Sequence, residues 1–548
     1  MRETCPNSKL FRAPPLNRVH RNCITKVYLS GGLRRETFRI FHGSTNSTRP
    51  ARKQRTADIS ALSNVLRVDP VTQTALLEPN VPMDKLVRAT LPHGLIPPVV
   101  MEFPGITVGG GYAGSAGESS SFRYGYFDQT VNWVEIVLAN GNVVRASATE
   151  NPDLFKGAAG ALGTLGITTL IELRLIKAKR YVKTTYHRTS SIREAVEKIR
   201  LETEDPANDY VDGILFSETF GVIITGQLTD DKPESEGVLS FSRPWDPWYY
   251  LHVKEKMHPT SPSTAAQAKP VVEYLPILEY LFRYDRGAFW IGVEAFKYFG
   301  LVPFNRLTRW FLNDFMHTRM LYRALHGSGV SSSVIVQDLS LPYSTAEEFI
   351  SYSARELGVW PLWLCPLREM SPPSFHPCTT LPHNHSHSKD AQSGSTSRPQ
   401  PMLNIGLWGR GAKRVAAFIQ QNRDIENALA RLGGRKVLYS HTYYTEEEFW
   451  NLYGWMWYEG LRQRYDATTL PTVYDKVNVD VDTLLAREGT LSWSQWLVSL
   501  WPFAGIAGIR SAISSKDYLI HRPGYWQQRL PMVSSVEDSK TPPTTHRS

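Results

Sequence analysis

Alternating apolar and polar positions run through the first third of the chain and predict short strands. The stretch NVLRVDPVTQTALLEP, at 64–79, predicts two strands with a turn at Asp69-Pro70. TVNWVEIVLANGNVVRA predicts a hairpin joined at Ala139-Asn140-Gly141-Asn142, since Asn-Gly readily takes the positive φ values of a two-residue turn. TFRIFHG and TTLIELRLIKA predict one further strand each.

Helical patterns lie between these strands. MDKLVRATLPHG predicts a short amphipathic helix that ends at Gly94, and NPDLFKGAAGALGTLGI predicts a helix followed by a tight glycine loop. A second region, of mixed helices and strands, begins near Lys179. The fold class that these patterns predict is α+β.

The same patterns divide the chain into four parts. Residues 1–37 form an irregular segment, 38–178 a strand-rich domain, 179–482 a mixed α/β domain, and 483–548 a Trp-rich segment with a polar tail. Within the third part, the stretch 371–400 is rich in Ser, Pro, Thr and His and predicts a disordered insertion.

Aromatic residues make up 11% of the chain, which favours a large apolar ligand pocket, a bulky core or a membrane-facing surface. The region 274–310 forms an aromatic belt suited to such a pocket, with members that include Phe289, Trp290, Tyr298 and Phe299.

The formal net charge of +9 favours anionic partners, either phospholipid headgroups or a phosphate-bearing cofactor. Nucleic acid is the least favoured, because no basic helix interleaved with aromatics and no zinc-finger spacing occurs. The four cysteines have no paired spacing, which indicates a reducing compartment and no structural metal. His383, His385 and His387 have no acidic or Cys partner nearby, so we expect no metal site there.

The sequence shows no secretory signal and no run of about 20 apolar residues. Its most apolar segment, WLVSLWPFAGIAGI at 496–509, is too short to span a bilayer. This segment predicts either a buried helix hairpin or a monotopic membrane contact rich in Trp.

Three glycine-rich loops carry the candidate chemistry: HGSTNSTR at 42–49, TVGGGYAGSAGES at 107–119 and GALGTLGI at 160–167. Glycine lets backbone N–H groups approach a phosphate without an intervening Cβ, and Ser, Thr and Asn add donors. Each hydrogen bond to a charged group contributes roughly 1.5–3 kcal/mol, so a few of them hold a pyrophosphate firmly. The predicted cofactor-binding residues are Gly43, Ser44, Thr45, Asn46, Ser47, Thr48, Thr107, Val108, Gly109, Gly110, Gly111, Tyr112, Ala113, Gly114, Ser115, Ala116, Gly117, Glu118, Ser119, Gly163, Gly166 and Ile167.

The GGGYAG within the second loop fits G-x-G-x-x-G, and Glu135 follows at about the spacing of a ribose-binding acid. The residues after it are Ser- and Gly-rich and form a poor helix, and Glu135 lies inside a predicted hairpin strand, so a Rossmann fold is excluded. A Walker A loop is excluded as well, because no Lys-Ser or Lys-Thr closes the motif.

The order of the three loops resembles the FAD-binding domain of vanillyl-alcohol oxidase-like, PCMH-type flavoproteins. TVGGGYAGSAGESSSFRYGYFDQT, ENPDLF, GTLGI and AKRYV more closely resemble the Δ24-sterol reductases, and the likeness continues through VDGILFS, WPLWLCP, EEEFW and PTVYDKV. The resemblance implies a two-subdomain FAD-binding domain over 38–178, followed by a substrate (cap) domain. Two segments depart from the family pattern: the one before Thr37, which lacks the family's membrane anchor, and the insertion at 371–400.

The resemblance also implies an activity: reduction of the C24–C25 double bond of a sterol side chain, with NADPH reducing bound FAD. A hydride would reach one carbon and an acid would protonate the other, and Tyr443, at a family tyrosine, or Tyr439 is the candidate acid. Thr45 and Asn46 stand where related oxidases tether FAD to a His, so we expect non-covalent FAD. Membrane association at the cytosolic face of the endoplasmic reticulum is implied, with a cytoplasmic location as the alternative.

Two other functions are compatible with the sequence. One keeps the flavin but oxidises an alcohol or sugar lactone with O₂ as electron acceptor. The other is a flavin-free paralogue that acts as a sterol-binding or membrane-associated scaffold, which the unusual segment before Thr37 motivates.

Overall fold

Two large antiparallel sheets and two short two-stranded pairs, one parallel and one antiparallel, organise the described part of the chain. The computed structural model describes residues 38–41, 43, 56–258, 269–300, 302–328, 334–378, 399–488 and 503–521. Its strands are β1 (Arg39–Phe41), β2 (Thr56–Asp58), β3 (Val65–Asp69), β4 (Thr74–Leu77), β5 (Leu95–Ile96), β6 (Val131–Val137), β7 (Val143–Ser147), β8 (Ile167–Arg174), β9 (Ile176–Lys177), β10 (Tyr181–Thr189), β11 (Tyr210–Ser217), β12 (Phe220–Thr229), β13 (Val271–Pro276), β14 (Val334–Pro342), β15 (Leu362–Leu367), β16 (Met402–Arg410) and β17 (Arg435–Lys436).

The α-helices lie between and around these strands. They are α1 (Met83–Thr90), α2 (Val108–Ala113), α3 (Ser121–Tyr124), α4 (Pro152–Ala158), α5 (Ile192–Glu204), α6 (Tyr249–Met257), α7 (Ile277–Leu281), α8 (Ile291–Phe299), α9 (Arg306–Phe311), α10 (Thr318–Ser328), α11 (Tyr343–Glu356), α12 (Val415–Arg431), α13 (Glu446–Tyr453), α14 (Trp455–Arg464), α15 (Val473–Val477), α16 (Val481–Glu488) and α17 (Phe503–Ser515). The chain is therefore of mixed α and β structure.

The smaller sheet has five strands in the order β3-β4-β8-β6-β7, and every neighbouring pair is antiparallel. The alternation of the sequence places one side of each strand in the core, where Leu77, Val134 and Ile171 are fully enclosed. The strands predicted in 64–79, in the hairpin and in TTLIELRLIKA are confirmed as members of this sheet. TFRIFHG contains β1, which pairs with β2 in parallel.

The turn between β6 and β7 differs in detail from the predicted two-residue turn. The N–H of Leu138 donates to the carbonyl of Asn142, and the N–H of Gly141 donates to the carbonyl of Leu138, both at 2.9 Å. Three residues therefore form the loop, and Gly141 is the one with a positive φ, at 88°. Asn140 instead accepts a side-chain hydrogen bond from the N–H of Asn142 (2.9 Å). The turn needs glycine at one position, as three-residue hairpin loops do.

Both predicted helices of the first region are confirmed. The first is α1, which continues as a 3₁₀ turn over Leu91–His93 and ends at Gly94 in the left-handed conformation. The second is α4, which starts with proline at its first helical position, Pro152, and precedes the third glycine loop. The first helical segment ends at a left-handed glycine, whereas α4 ends at Ala159 in an extended conformation, one residue before Gly160 with its positive φ.

The larger sheet has eight strands in the order β13-β10-β12-β11-β15-β16-β14-β17, all antiparallel. Successive side chains along β15 face opposite sides: Leu362 and Leu364 pack in the cluster that includes helices α5, α11 and α12, whereas Trp363 and Cys365 pack on the other side. The helices thus cover one face of the sheet. The opposite face is turned towards the five-stranded sheet, and a cavity lies between them.

The helices after β17 pack back onto the first region. The hydroxyl of Tyr458 in α14 donates to Oγ1 of Thr164 (2.7 Å), and the ammonium of Lys476 in α15 donates to the carbonyl of Leu162 (2.7 Å). The guanidinium of Arg39 in β1 reaches the carbonyl of Asp475 (2.9 Å). The third glycine loop is therefore held in place by residues that lie about 300 positions later in the chain.

The predicted domain boundaries stay predictions. The chain leaves the small-sheet region after β9 and enters the large sheet at β10, on either side of residue 178. The segment 1–37, most of the insertion at 371–400, the tail from 522 and the residues Ser44, Thr45, Asn46, Ser47 and Thr48 of the first loop lie outside the described residues.

A buried ion pair joins the two regions. The guanidinium of Arg319 in α10 donates to both carboxylate oxygens of Asp84 in α1 (2.8 and 2.9 Å) and to the carbonyl of Pro104 (2.9 Å). We expect Arg319→Met to lower the free energy of unfolding by about 3–5 kcal/mol, because it leaves a buried carboxylate without its partner. Unfolding in guanidinium chloride, followed by Trp fluorescence, measures this change in the free energy of unfolding.

The matched control is Arg355→Met, which removes an exposed arginine that pairs with Glu356 at the surface. This control should change the free energy of unfolding by less than about 1 kcal/mol, as exposed ion pairs do. Equal losses in both variants would contradict a special role for the Arg319–Asp84 pair.

Candidate active site

A cavity of about 1430 Å³ lies between the two sheets. Pockets for a single drug-sized ligand usually enclose about 300–1,000 Å³, so this one has room for a cofactor and a second molecule. Its wall combines the second glycine loop, the inner face of the large sheet, and helices α8, α10 and α17. The wall residues that matter most, from these elements and from segments beside them, are Glu102, Phe103, Gly110, Glu118, Phe289, Tyr322, Asp338, Trp363, Asn404, Trp408, Tyr439, Lys476 and Ile509.

The second glycine loop folds partly as a helix, which differs from the loop predicted over 107–119. Thr107 caps α2 with its hydroxyl, which accepts from the N–H of Gly110 (3.1 Å). A Cβ on Gly111 would lie 2.6 Å from Met101, so that glycine is required by packing. A Cβ on Gly110 would meet only the Thr107 side chain and one atom of Ile106, and Gly110 itself is exposed on the cavity wall. Gly110 therefore leaves the backbone open to a ligand.

About half of the predicted cofactor-binding residues that the structure describes line the cavity. Those that do are Thr107, Gly109, Gly110, Ala113, Gly114, Ala116, Gly117, Glu118 and Gly163. Those that do not are Gly43, Val108, Gly111, Tyr112, Ser115, Ser119, Gly166 and Ile167. Tyr112, for example, is buried with its hydroxyl bonded to the carbonyl of Phe155 (2.9 Å). The role of each residue in cofactor binding stays a prediction.

Cationic side chains reach the cavity beside the third glycine loop. Lys476 from α15 and Arg39 from β1 both line it, next to Leu162 and Gly163. Amine and guanidinium groups next to glycine backbone are suited to hold phosphate oxygens. The sequence pattern did not identify these two residues, because only the return of the C-terminal helices brings Lys476 to the loop.

The large sheet contributes a polar group to the cavity around Tyr439. The hydroxyl of Tyr439 hydrogen-bonds Asp338 and accepts from the indole N–H of Trp408 (3.3 Å), while the Asn404 amide donates to Asp338 (3.0 Å). Burial raises the pKa of Asp338 to about 6, and the hydrogen bonds from Asn404 and Tyr439 oppose that rise. Burial and the charge of Asp338 raise the pKa of Tyr439 well above its ordinary value.

Tyr443, the other predicted acid, does not line the cavity. Its ring packs in the cluster beneath α12, edge-on to His441 with 5.4 Å between ring centroids, and its backbone N–H donates to Glu426 (2.9 Å). The same carboxylate oxygen of Glu426 accepts from Lys436 (2.7 Å) and Thr442 (2.9 Å), which fixes this segment in the core. A catalytic role of Tyr443 stays a prediction, and Tyr439 is the tyrosine of the two that faces the cavity.

A third polar group lies where the sequence showed no motif. Glu102, just before the second glycine loop, lines the cavity, and Arg283 and Asp212 lie behind it. The guanidinium Nη2 of Arg283 is 3.6 Å from Oε1 of Glu102 and 3.0 Å from Oδ2 of Asp212. Burial raises the pKa of Glu102 to about 8; the positive charge of Arg283 opposes the rise and the negative charge of Asp212 adds to it. Perturbed titratable groups of this kind gather at functional sites.

The aromatic belt supplies part of the apolar wall. Phe289 and Tyr298 line the cavity, Trp290 lies behind them, and the side chain of Phe299 is outside the described part of the chain. Ala288 and Phe289 both have a positive φ (45° and 59°), which is unusual for residues with side chains. This strained turn places the Phe289 ring against Tyr284 (3.9 Å between centroids) and Trp408 (4.6 Å). Strained backbone of this kind tends to occur at functional sites.

A Ser–His–Asp arrangement occurs elsewhere in the fold. Nδ1 of His376 is 2.7 Å from the hydroxyl of Ser374, and its Nε2 is 2.8 Å from Asp128. All three residues are buried, at 3%, 1% and 8% exposure, and none of them lines the cavity. The group therefore links the segment after β15 to the first region as a structural hydrogen-bond network, and it does not form a hydrolase site.

The residues of the cavity fit FAD, the cofactor expected from the sequence. The open space at Gly110 and the nearby cations suit a pyrophosphate. Oε2 of Glu118 is buried on the cavity wall and has no hydrogen-bond partner among the described residues. A carboxylate oxygen accepts only, and the hydroxyls and ring N–H of FAD are donors that would satisfy it.

We expect Gly110→Val to weaken FAD binding by about tenfold or more, because its side chain would extend into the cavity where the cofactor approaches the backbone. Dissociation constants from flavin fluorescence measure the effect. The matched control is Gly460→Val, a glycine in the exposed part of α14 whose Cβ would meet nothing within 4 Å. Equal affinities of the Gly110→Val variant and the unchanged protein would place the cofactor elsewhere.

Comparisons with known proteins bear on the same region. A family model described as an FAD binding domain matches residues 34–147, which contain the first two glycine loops. The chain is 28% identical over 428 residues to the human Δ24-sterol reductase, and the match covers 76% of each protein. It is also 28% identical over 441 residues to the Δ24-sterol reductase of Arabidopsis thaliana, again with 76% of each covered. A Δ24-sterol reductase homologue of Caenorhabditis elegans is 25% identical over 434 residues. The chain is thus similar to the Δ24-sterol reductases over 76% of its length, and its residues 34–147 match an FAD binding domain.

Proposed function

We propose that this protein is an FAD-dependent reductase that adds two hydrogens across the C24–C25 double bond of a sterol side chain, with NADPH as the electron donor. One observation carries the proposal: a single cavity of about 1430 Å³ joins the second glycine loop to an apolar, aromatic wall. A flavin site and a lipid site are thus parts of one space. The names of the relatives supply the substrate class.

Two sets of residues on the cavity wall would have two different roles. Gly109, Gly110 and Glu118 would hold FAD. Phe103, Phe289, Trp363 and Trp408 enclose the remaining space with apolar surface, and burial of the sterol side chain there contributes about 0.8 kcal/mol per CH₂. When bound, reduced FAD supplies the hydride. The wall keeps water away from the alkene, which has no carbonyl to polarise, and a cavity acid delivers the proton.

We also propose the two-subdomain, PCMH-type layout for residues 38–178. The parallel pair β1-β2 would belong to the first subdomain, and the five-stranded antiparallel sheet would be the second. The eight-stranded sheet with its helices would then be the cap that closes over the flavin. The side chain of Ile40 in β1 supports this layout, because it lies 2.6 Å from where a Cβ on Gly163 would be.

The test of the activity is an anaerobic half-reaction. We expect the purified protein to hold a flavin that denaturation releases, NADPH to bleach it, and a Δ24-unsaturated sterol to restore the oxidised spectrum. The saturated sterol serves as the control and should restore nothing. Reoxidation by O₂ but not by the sterol would favour an oxidase, and a protein that holds no flavin even after incubation with FAD would favour a scaffold.

We further propose that the protein docks on an anionic membrane surface around the cavity. Phe311 of α9 and Phe503 and Ile506 of α17 are 77%, 54% and 52% exposed, an unusual degree for large apolar side chains. Both helices are continuous with the cavity wall, through Leu312 next to α9 and through Ile509 in α17. Exposed basic residues accompany them, namely Arg306, Arg510 and Lys516. Apolar side chains flanked by cations suit an interface with acidic phospholipid.

The helix α17 contains the described part of the apolar segment 496–509. In this single helix, Gly508 and Ala512 are buried and Gly508 packs against Ala324 in α10. Across the described ranges, no helix is both long and apolar enough to cross a bilayer. Attachment through α9 and α17 would therefore lie in the plane of the interface. The endoplasmic reticulum, where its sterol substrates would be reached from the cytosolic face, is the proposed location.

We expect the double variant Phe311→Asp, Ile506→Asp to bind phosphatidylserine-containing vesicles at least about tenfold more weakly, because two apolar side chains no longer enter the interface. Vesicle co-sedimentation measures the bound fraction. The control is Val71→Asp, which changes a side chain that is 90% exposed in the distant β3–β4 turn. Unchanged binding of the double variant would rule out this surface.

A further inference from the structure

The carboxyl group of Glu102 is enclosed in protein and yet belongs to the cavity wall. Glu102 is 3% exposed, and its Oε1 atom lies 3.6 Å from the guanidinium of Arg283 without a hydrogen bond to any residue that the structure describes. Buried polar atoms in proteins are nearly always paired, so an exception at a ligand cavity needs an explanation. Direct contact between this carboxyl group and the bound substrate provides one.

The guanidinium of Arg283 faces two carboxyl groups, those of Glu102 and Asp212. Arg283 lies closer to Asp212 (3.0 Å) than to Glu102 (3.6 Å). The same oxygen of Asp212 also accepts from the hydroxyl of Tyr284 (2.8 Å) and from the indole N–H of Trp363 (3.1 Å). Because three donors converge on Asp212, the negative charge is stabilised there. Glu102 is then the carboxyl group that retains its proton.

The other groups that face Glu102 do not change this assignment. A backbone hydrogen bond and one from the hydroxyl of Ser119 lower the pKa of Glu102, and the buried thiol of Cys365 on β15 is a further titratable neighbour. Burial is the largest of these effects, and together they raise the pKa of Glu102 to about 8. Glu102 is thus an O–H donor at neutral pH and can release that proton into the cavity.

We propose that Glu102 is the catalytic acid that protonates the sterol alkene, with Arg283 and Asp212 as its positioning residues. The proposal rests on the proposed function of the cavity as a sterol reductase site. The O–H bond of Glu102 breaks, and its proton forms a new C–H bond with the π electron pair of the alkene. The other alkene carbon receives the hydride from the reduced flavin. Glu102 is left as a carboxylate and takes a proton from water before the next turnover.

Electrostatics favour Glu102 over Tyr439 for this step. Proton loss from Glu102 leaves a carboxylate 3.6 Å from the guanidinium of Arg283, which stabilises it. Proton loss from Tyr439 would leave a phenolate against Asp338, and burial together with that charge already raises the pKa of Tyr439 well above its ordinary value. Tyr439 is therefore the weaker acid, and its hydrogen bonds to Asp338 and Trp408 indicate a role in shaping the cavity.

The first experiment separates flavin reduction from sterol reduction. The Glu102→Gln variant keeps the shape of the side chain but has no carboxyl proton to transfer. We expect NADPH to bleach its flavin at the unaltered rate, and its reoxidation by a Δ24-unsaturated sterol to be about 10²- to 10⁴-fold slower. Glu102→Asp, which keeps an acid, should recover part of that rate. The matched control Glu172→Gln, on β8 outside the cavity, should reoxidise normally.

The outcomes distinguish this proposal from the proposed function. If the unaltered protein is not reoxidised by the sterol, the reductase function fails. If the unaltered protein and Glu102→Gln are reoxidised at the same rate, the function stands and the role of Glu102 is overturned. A large loss in Tyr439→Phe together with a normal Glu102→Gln variant would assign the acid to Tyr439 instead.

A second measurement is independent of turnover. Infrared spectra of the protein should contain the C=O band of a protonated carboxyl group that disappears as pH rises, with a midpoint near pH 8. The band should be absent from Glu102→Gln. Its midpoint should move to lower pH in Asp212→Asn, because loss of the Asp212 charge removes one cause of the raised pKa. The difference between the spectra of the unaltered protein and Glu102→Gln at pH 6 is the decisive measurement. If it contains only carboxylate bands, the proposal is overturned.

Discussion

The enclosed guanidinium of Arg283 links the parts of the molecule that make the cavity. Its side chain is 1% exposed, and it lies over the rings of Tyr280 (4.1 Å) and Tyr284 (4.7 Å) while pairing with Asp212 on β11. A buried cation is tolerated only where counter-charges and acceptors surround it. The sheet, the turn after α7 and the segment before the second glycine loop must therefore meet around Arg283. That meeting places Glu102 on the cavity wall and leaves too little positive charge for a second carboxylate.

The cavity itself follows from how the two sheets pack. The helices α5, α11 and α12 pack on one face of the large sheet, and residues of its other face pack in the cluster that includes the first region. Aromatic side chains on that face and glycines of the second loop both line the large space between them. The C-terminal helices then return to the glycine loops and add Lys476 to the same wall. The proposed cofactor and substrate sites are thus parts of one cavity.

The candidate site was only partly predictable. The second glycine loop and Glu118 carry a recognisable combination of residues, and they do line the cavity. Glu102 and Asp338 are single acids in apolar stretches, and a sequence pattern assigns no chemistry to such residues. Their perturbed pKa values arise from burial and from neighbours distant in sequence, such as Arg283. Tyr439 and Tyr443 look alike in SHTYYTEEEFW, and only the packing beneath α12 separates the one at the cavity from the one in the core.

Local patterns in the sequence by themselves determined the strands of the small sheet, the helices α1 and α4, and the resemblance to the Δ24-sterol reductases. These features depend on residues a few positions apart, through alternation, capping and turn geometry. Tertiary structure alone decided the loop length at Gly141, the helical conformation of 108–113, and which loop residues face the cavity. It also raises the pKa of Glu102, because desolvation and charge pairing depend on three-dimensional neighbours. The glycine loop can thus be recognised in the sequence, whereas the perturbed acids across the cavity can be recognised only in the fold.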